Sequence, residues 1–139
     1  MEQASEFVQV EAGLEGVLEE LRRREPIFHT TAFGLTAAER ERAMDSAYWE
    51  VGASGRRYSR RFIQQRLAEK PPVEAEAAGW RCSDFGLRRL GAETYLLTYT
   101  LEQGKRVTRR ATIWKKTDGT WQILYHQGTV VTGEDDTVP

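Results

Sequence analysis

The chain has 139 residues and a mass of 15.9 kDa, which fits one domain built on one core. Apolar residues make up 40% and charged residues 29%, and no apolar run approaches the roughly 18 residues of a membrane span, so disordered, fibrous and transmembrane classes are excluded. The formal net charge of −1 hides a segregation: residues 1–50 carry 5 bases and 11 acids, residues 51–116 carry 15 bases and 6 acids, and residues 117–139 carry 4 acids and no base.

The opening Met1-Glu-Gln-Ala-Ser-Glu has neither a basic nor an apolar leader region, and one cysteine makes no internal disulfide, so a cytoplasmic protein is expected. Phe7, Val10, Leu14, Val17, Leu18 and Leu21 recur at three- and four-residue spacing, which predicts one amphipathic helix running toward Arg24. Glu25-Pro26 must kink or restart it, with Ile27, Phe28 and His29 forming a further turn. Thr36 and Glu39 have capping-box spacing, so a second short helix is expected from Ala37 to about Ser46, followed by a short strand at Tyr48–Val51. Gly52–Gly55 reads as a tight turn, Ser59 as the cap of a third helix, and Pro71-Pro72 as its end.

From Trp80 the period changes to two, with strands expected near 80–90, 93–102, 106–116 and 120–131, separated by turns at Gly91-Ala92, Gln103-Gly104 and Asp118-Gly119. Helices followed by an antiparallel meander predict an α+β domain with helices laid on one face of a curved sheet. The domain is expected over 11–131, with 1–10 extending the first helix or fraying and 132–139 forming an acidic tail.

A two-residue Asp118-Gly119 loop pairs Trp114 with Ile123, Thr112 with Tyr125 and Arg110 with Gln127. A Gln103-Gly104 loop then brings Tyr95, Leu97, Tyr99 and Leu101 to the same face. That face, rich in large apolar groups, must lie under the helices. Its polar members Arg110 and Gln127, walled by tyrosines, are the candidate site, and a buried arginine needs an acceptor from a carboxylate, a carbonyl or a ligand. Glu25, Asp45 and Glu50 are available as structural partners. His126 falls on the opposite face, where a subunit contact fits. A three-residue turn at Gly91 buries Phe85 and Leu87 and directs Asp84 outward. His29 reads as a cap or core hydrogen bonder, Cys82 as a small buried hydrophobe, and Trp49, Trp80, Trp114 and Trp121 as core. The basic doublets, among them Arg56-Arg57, Arg109-Arg110 and Lys115-Lys116, are read as solvated strand ends, so neither nucleic acid nor membrane is expected as a partner.

The residues Ile113-Trp114-Lys-Lys-Thr-Asp118-Gly119-Thr-Trp121-Gln-Ile123-Leu-Tyr-His126-Gln127-Gly-Thr129, with Glu25-Pro26-Ile-Phe28-His29, Glu50-Val-Gly52-Ala-Ser54-Gly55-Arg56 and Leu97-Thr98-Tyr99, resemble the nuclear transport factor 2-like, or SnoaL-like, superfamily. They look most like its uncharacterised branch related to the calmodulin-dependent kinase association domain, over about residues 11–131. The resemblance implies a cone-shaped α+β fold with a pocket between helices and concave sheet, in a homodimer formed through the sheet. The association domain has an arginine where this chain has Thr112; here Arg110 stands one step along the same face. Enzymes of the superfamily include isomerases, cyclases and dehydratases that use aspartate or histidine in the pocket.

The sequence contains no metal cluster, phosphate loop, nucleophile elbow or paired-carboxylate motif, so no metal and no cofactor are expected. The leading expectation is a homodimer that binds a small anionic molecule or a peptide in the cone through Tyr95, Tyr99, Arg110, Trp114, Tyr125 and Gln127, leaning away from enzyme activity. An isomerase- or dehydratase-like catalyst using Glu50 or Asp45 with Tyr99 is the alternative. A protein-interaction or immunity-type module is the third.

Overall fold

In a computed structural model that describes residues 5–133, helices precede a meander of strands. The elements are α1 (Glu15–Arg22), α2 (Ala37–Arg42), β1 (Met44–Val51), β2 (Arg57–Ser59), α3 (Arg60–Glu69), β3 (Arg81–Gly91), β4 (Thr94–Gln103), β5 (Arg106–Thr117) and β6 (Thr120–Val130). Residues 1–4 and 134–139, including most of the expected acidic tail, lie outside the described residues.

The expected first helix is shorter than its apolar spacing suggests. Gly13, at φ 87°, breaks it, and the preceding residues run extended beside β3. Val10 bridges Leu87 in parallel, the Leu87 amide donates to the Gln9 carbonyl and the Glu11 amide to the Leu87 carbonyl, both at 2.9 Å. The physical reason is that β3 is the edge of the sheet, and its free backbone groups pair with this segment, which overrides its helical spacing. Leu14 and Leu21 still reach the core.

Thr36 and Glu39 form the capping box, and Ser59 accepts from the Phe62 amide at 3.1 Å to start α3. The helix expected to reach Ser46 stops at Arg42 because the Ala43 carbonyl takes the Ile123 amide at 2.8 Å and starts strand pairing. The sheet order is β2-β1-β6-β5-β4-β3, with β1 and β6 parallel and the other neighbours antiparallel. One face packs on the helices: Leu87, Leu97, Leu101, Trp114 and Ile123 share a core with Leu21, Phe33 and Ile63.

Asp118 and Gly119, at φ 50° and 79°, close the last hairpin with Thr117 opposite Thr120. The preceding hairpin turns on Gly104 and Lys105 rather than the expected Gln103 and Gly104, so Tyr95 pairs with Trp114 and Tyr99 with Arg110, a shift of two residues that keeps the expected faces. In β6 an extra residue, Leu124, lies between the pairs Trp114–Ile123 and Ile113–Tyr125. This bulge reverses the phase beyond it, so Thr112 pairs with His126 and Arg110 with Gly128.

Candidate functional site

The bulge decides what the inner face offers. His126 lies inside and is 2% exposed, whereas an unbroken ladder would have put it outside. Tyr125 and Gln127, expected as inner ligand contacts, lie on the outer face, where the Tyr125 hydroxyl donates to Gln127 Oε1 at 2.6 Å. Tyr95, Tyr99, Arg110 and Trp114 share the inner face, and of these only Arg110 is not fully buried.

Among the described residues the buried carboxylate is Glu25, 4% exposed. Tyr99 Oη donates to its Oε1 at 2.6 Å, the Ile27 amide to the same oxygen at 3.2 Å, and Trp114 Nε1 to Oε2 at 2.9 Å. The Thr112 hydroxyl bonds it as well. Burial raises the Glu25 pKa, and these hydrogen bonds to the ionised form pull it back. Glu25, expected as an available partner for Arg110, serves the tyrosine and tryptophan instead.

His126 continues the chain to the half-buried Arg110. Its Nδ1 is 2.7 Å from Thr112 Oγ1, and its Nε2 is 3.4 Å from Arg110 Nη1. Burial and the adjacent Arg110 charge push its pKa down to about 3, so the ring is neutral. Guanidinium can only donate, hence Nε2 accepts, Nδ1 carries the hydrogen and donates to Thr112, and Thr112 in turn donates to Glu25. Arg110 also donates through Nε to Thr108 Oγ1 at 2.9 Å. Among the described residues no carboxylate is within ion-pair distance of its guanidinium.

Glu50 faces the same region, as its pairing with His126 requires, and accepts from the Tyr48 hydroxyl at 2.7 Å. Burial raises its pKa while the Arg110 charge opposes the rise. Asp45 is turned to its own strand and accepts from the Ala47 amide at 2.9 Å. Asp84 is on the outer face, at φ 57°, accepting from Thr100 at 3.1 Å with Arg109 Nη1 at 3.7 Å. His29 donates from Nδ1 to the Val73 carbonyl at 2.7 Å against the Trp80 ring, and burial lowers its pKa. Burial raises the Cys82 thiol to about 11, which leaves it unreactive.

A groove of about 680 Å3 has Phe7, Val8, Leu96, Ile113 and Tyr125 as its apolar wall and also reaches the polar Asp84, Arg109, Arg110 and Gln127. Trp49 is 44% exposed and meets Tyr125 edge-on with ring centroids 5.0 Å apart. Among the described residues, no cluster of three or more His, Cys, Asp or Glu could hold a metal ion, and no helix is long and apolar enough to cross a membrane.

Sequence reasoning missed Glu25 and His126 as members of one network. The run Ile123-Leu124-Tyr125, apolar at three successive positions, was the signal that alternation breaks there.

The sequence matches no family model and no curated protein. Solved structures are similar in fold. A protein of unknown function of the DUF3225 family from Pectobacterium atrosepticum superposes with a TM-score of 0.61 at 15% identity, covering 84% of this chain and 88% of that one. An NTF2-like protein from Cytophaga hutchinsonii gives 0.60 at 13% identity, over 86% and 98%. A candidate Ca/calmodulin-dependent kinase II association domain from Exiguobacterium sibiricum gives 0.54 at 13% identity, over 96% and 99%. The six-stranded curved sheet with its helices on one face is thus the nuclear transport factor 2-like, cystatin-like α+β fold, shared with proteins of unknown function.

Proposed function

We infer that the chain is a homodimeric binding domain that holds a small anion, or the carboxylate of a peptide segment, at the mouth of its cone through Arg110. The observation that carries this reading is the half-buried guanidinium, whose hydrogen-bond partners, Thr108 and His126, are both neutral. A cation removed from water in this way gains most from an anionic partner with two oxygens, which matches its forked donors. Tyr99 and Trp114 stiffen the wall behind it through Glu25. The apolar wall of the outer groove, Phe7, Val8, Leu96, Ile113 and Tyr125, supports a subunit contact there, and the similarity to a candidate association domain points the same way.

The isomerase or dehydratase reading has less support. Asp45 faces its own strand and the Tyr99 hydroxyl is engaged by Glu25, which leaves Glu50 as the remaining base near the mouth.

Native mass spectrometry of gently purified protein tests the proposal, with Arg110→Gln as comparison. A dimer carrying an extra mass that the variant loses, at unchanged melting temperature, is the expected result. A bare wild-type protein that also fails to bind any member of a panel of small carboxylates and phosphates would overturn the ligand reading, and a monomer would overturn the dimer.

A further inference from the structure

We propose a second ligand site, for a small oxyanion such as a phosphate or carboxylate group, in a cavity of about 230 Å3 between α2 and the β5–β6 turn. It shares only the Trp114 ring with the site at Arg110, and its polar groups, Arg24, Arg42 and Trp121, are not assigned there.

The starting observation is an orphan donor. Trp121 is 5% exposed and lines this cavity, and its Nε1 has no hydrogen-bond partner among the described residues. Buried N–H groups in folded proteins nearly always find an acceptor, and one that lacks a protein partner commonly has a water or an ion. The neighbouring indole in the wall, Trp114, spends its Nε1 on Glu25 and shows what a satisfied tryptophan looks like here.

The other polar walls indicate which acceptor fits. Arg24, just past α1, and Arg42, the last residue of α2, both line the cavity. Arg24 gives one N–H to the Glu20 carbonyl, and neither arginine is in ion-pair contact with a carboxylate among the described residues. The one acid in the wall, Glu39, has its Oε1 committed to the Leu35 and Thr36 amides, each at 3.0 Å. Three elements therefore bring together two guanidinium groups and an indole N–H, all of which can only donate. Donors of this kind recognise a compact, acceptor-only, negatively charged group. The volume holds such a group together with a few waters, since one water occupies about 30 Å3.

The test uses 15N-labelled full-length protein and follows the Trp121 indole N–H resonance, assigned through Trp121→Phe, during titration with sodium phosphate and, separately, sodium acetate, against sodium chloride at equal ionic strength. A saturable shift of that resonance with either anion is expected, weakened at least about tenfold in Arg42→Gln. Arg42 is on the surface, so the variant should retain the dispersed spectrum of the folded protein. Arg106→Gln, at the far end of β5, should bind as wild type does. A response to phosphate alone identifies a phosphoryl ligand, a response to acetate a carboxylate. No saturable shift with either anion, which would mean that water satisfies the indole, overturns the proposal. So does a shift that persists undiminished in Arg42→Gln.

Discussion

Thr112 Oγ1 and His126 Nδ1 lie 2.7 Å apart across β5 and β6, and this contact orients the hydrogen bonds that run from the half-buried Arg110 to the buried Glu25. Because the imidazole is neutral and one of its nitrogens accepts from Arg110, the other must donate, and Thr112 is left with a hydrogen for Glu25.

Thr112→Val keeps the shape and removes the hydroxyl that accepts from His126 and donates to Glu25. It strands the buried Nδ1–H and withdraws one donor from Glu25. A loss of about 2 kcal/mol in urea unfolding is expected. A loss under about 0.5 kcal/mol would show that the pair is not hydrogen-bonded in solution.

His126 makes stability depend on pH in a calculable direction. Its folded pKa of about 3 is below the usual 6.5, so the unfolded chain takes up a proton that the folded chain refuses, and stability falls as pH drops from about 6.5 toward 3. Glu25 and Glu50 act oppositely, because raised folded pKa values add stability as pH falls through them. The difference between wild type and His126→Gln isolates the histidine. Between pH 7 and pH 4 the wild type should lose roughly 3 kcal/mol more than the variant in urea unfolding, and parallel curves would exclude a buried neutral imidazole.

Ile113 is half-buried on the outer face within the apolar groove. If two copies meet there, Ile113→Glu places two charges in a desolvated contact. The variant should be monomeric by light scattering at concentrations where the wild type is dimeric, with circular dichroism unchanged. A dimer that persists at the same concentration would place the interface elsewhere.

Gly119 occupies the left-handed region at φ 79° with open space where a Cβ would stand. Gly119→Ala therefore costs backbone strain without a clash, about 1 kcal/mol by chemical denaturation. A neutral result would mean that the hairpin reaches another turn type at no cost.

Local rules carried much of the fold. The Thr36–Glu39 box, the Ser59 cap and the Asp118-Gly119 turn act over a few residues, and each appears where the sequence puts it. Strict alternation through β4 and β5 correctly separated Tyr95, Leu97 and Tyr99 from Leu96 and Thr98. Two features were not legible. An edge strand and a helix compete for a segment such as Phe7–Val10, and tertiary pairing with Leu87 decides the outcome. The Glu25 donors Tyr99 and Trp114 are 74 and 89 residues away in sequence, so no local pattern connects them.

The unpaired residue at Leu124 has a consequence for comparing this chain with others of its fold. It makes β6 two half-strands read in opposite frames, one ending at Ile123 and one starting at Tyr125. Deleting Leu124 would exchange the imidazole on the inner face for the phenol and amide of Tyr125 and Gln127 without substituting any side chain. A single gap placed one side or the other of that position in an alignment therefore decides which chemistry is credited to the inner face.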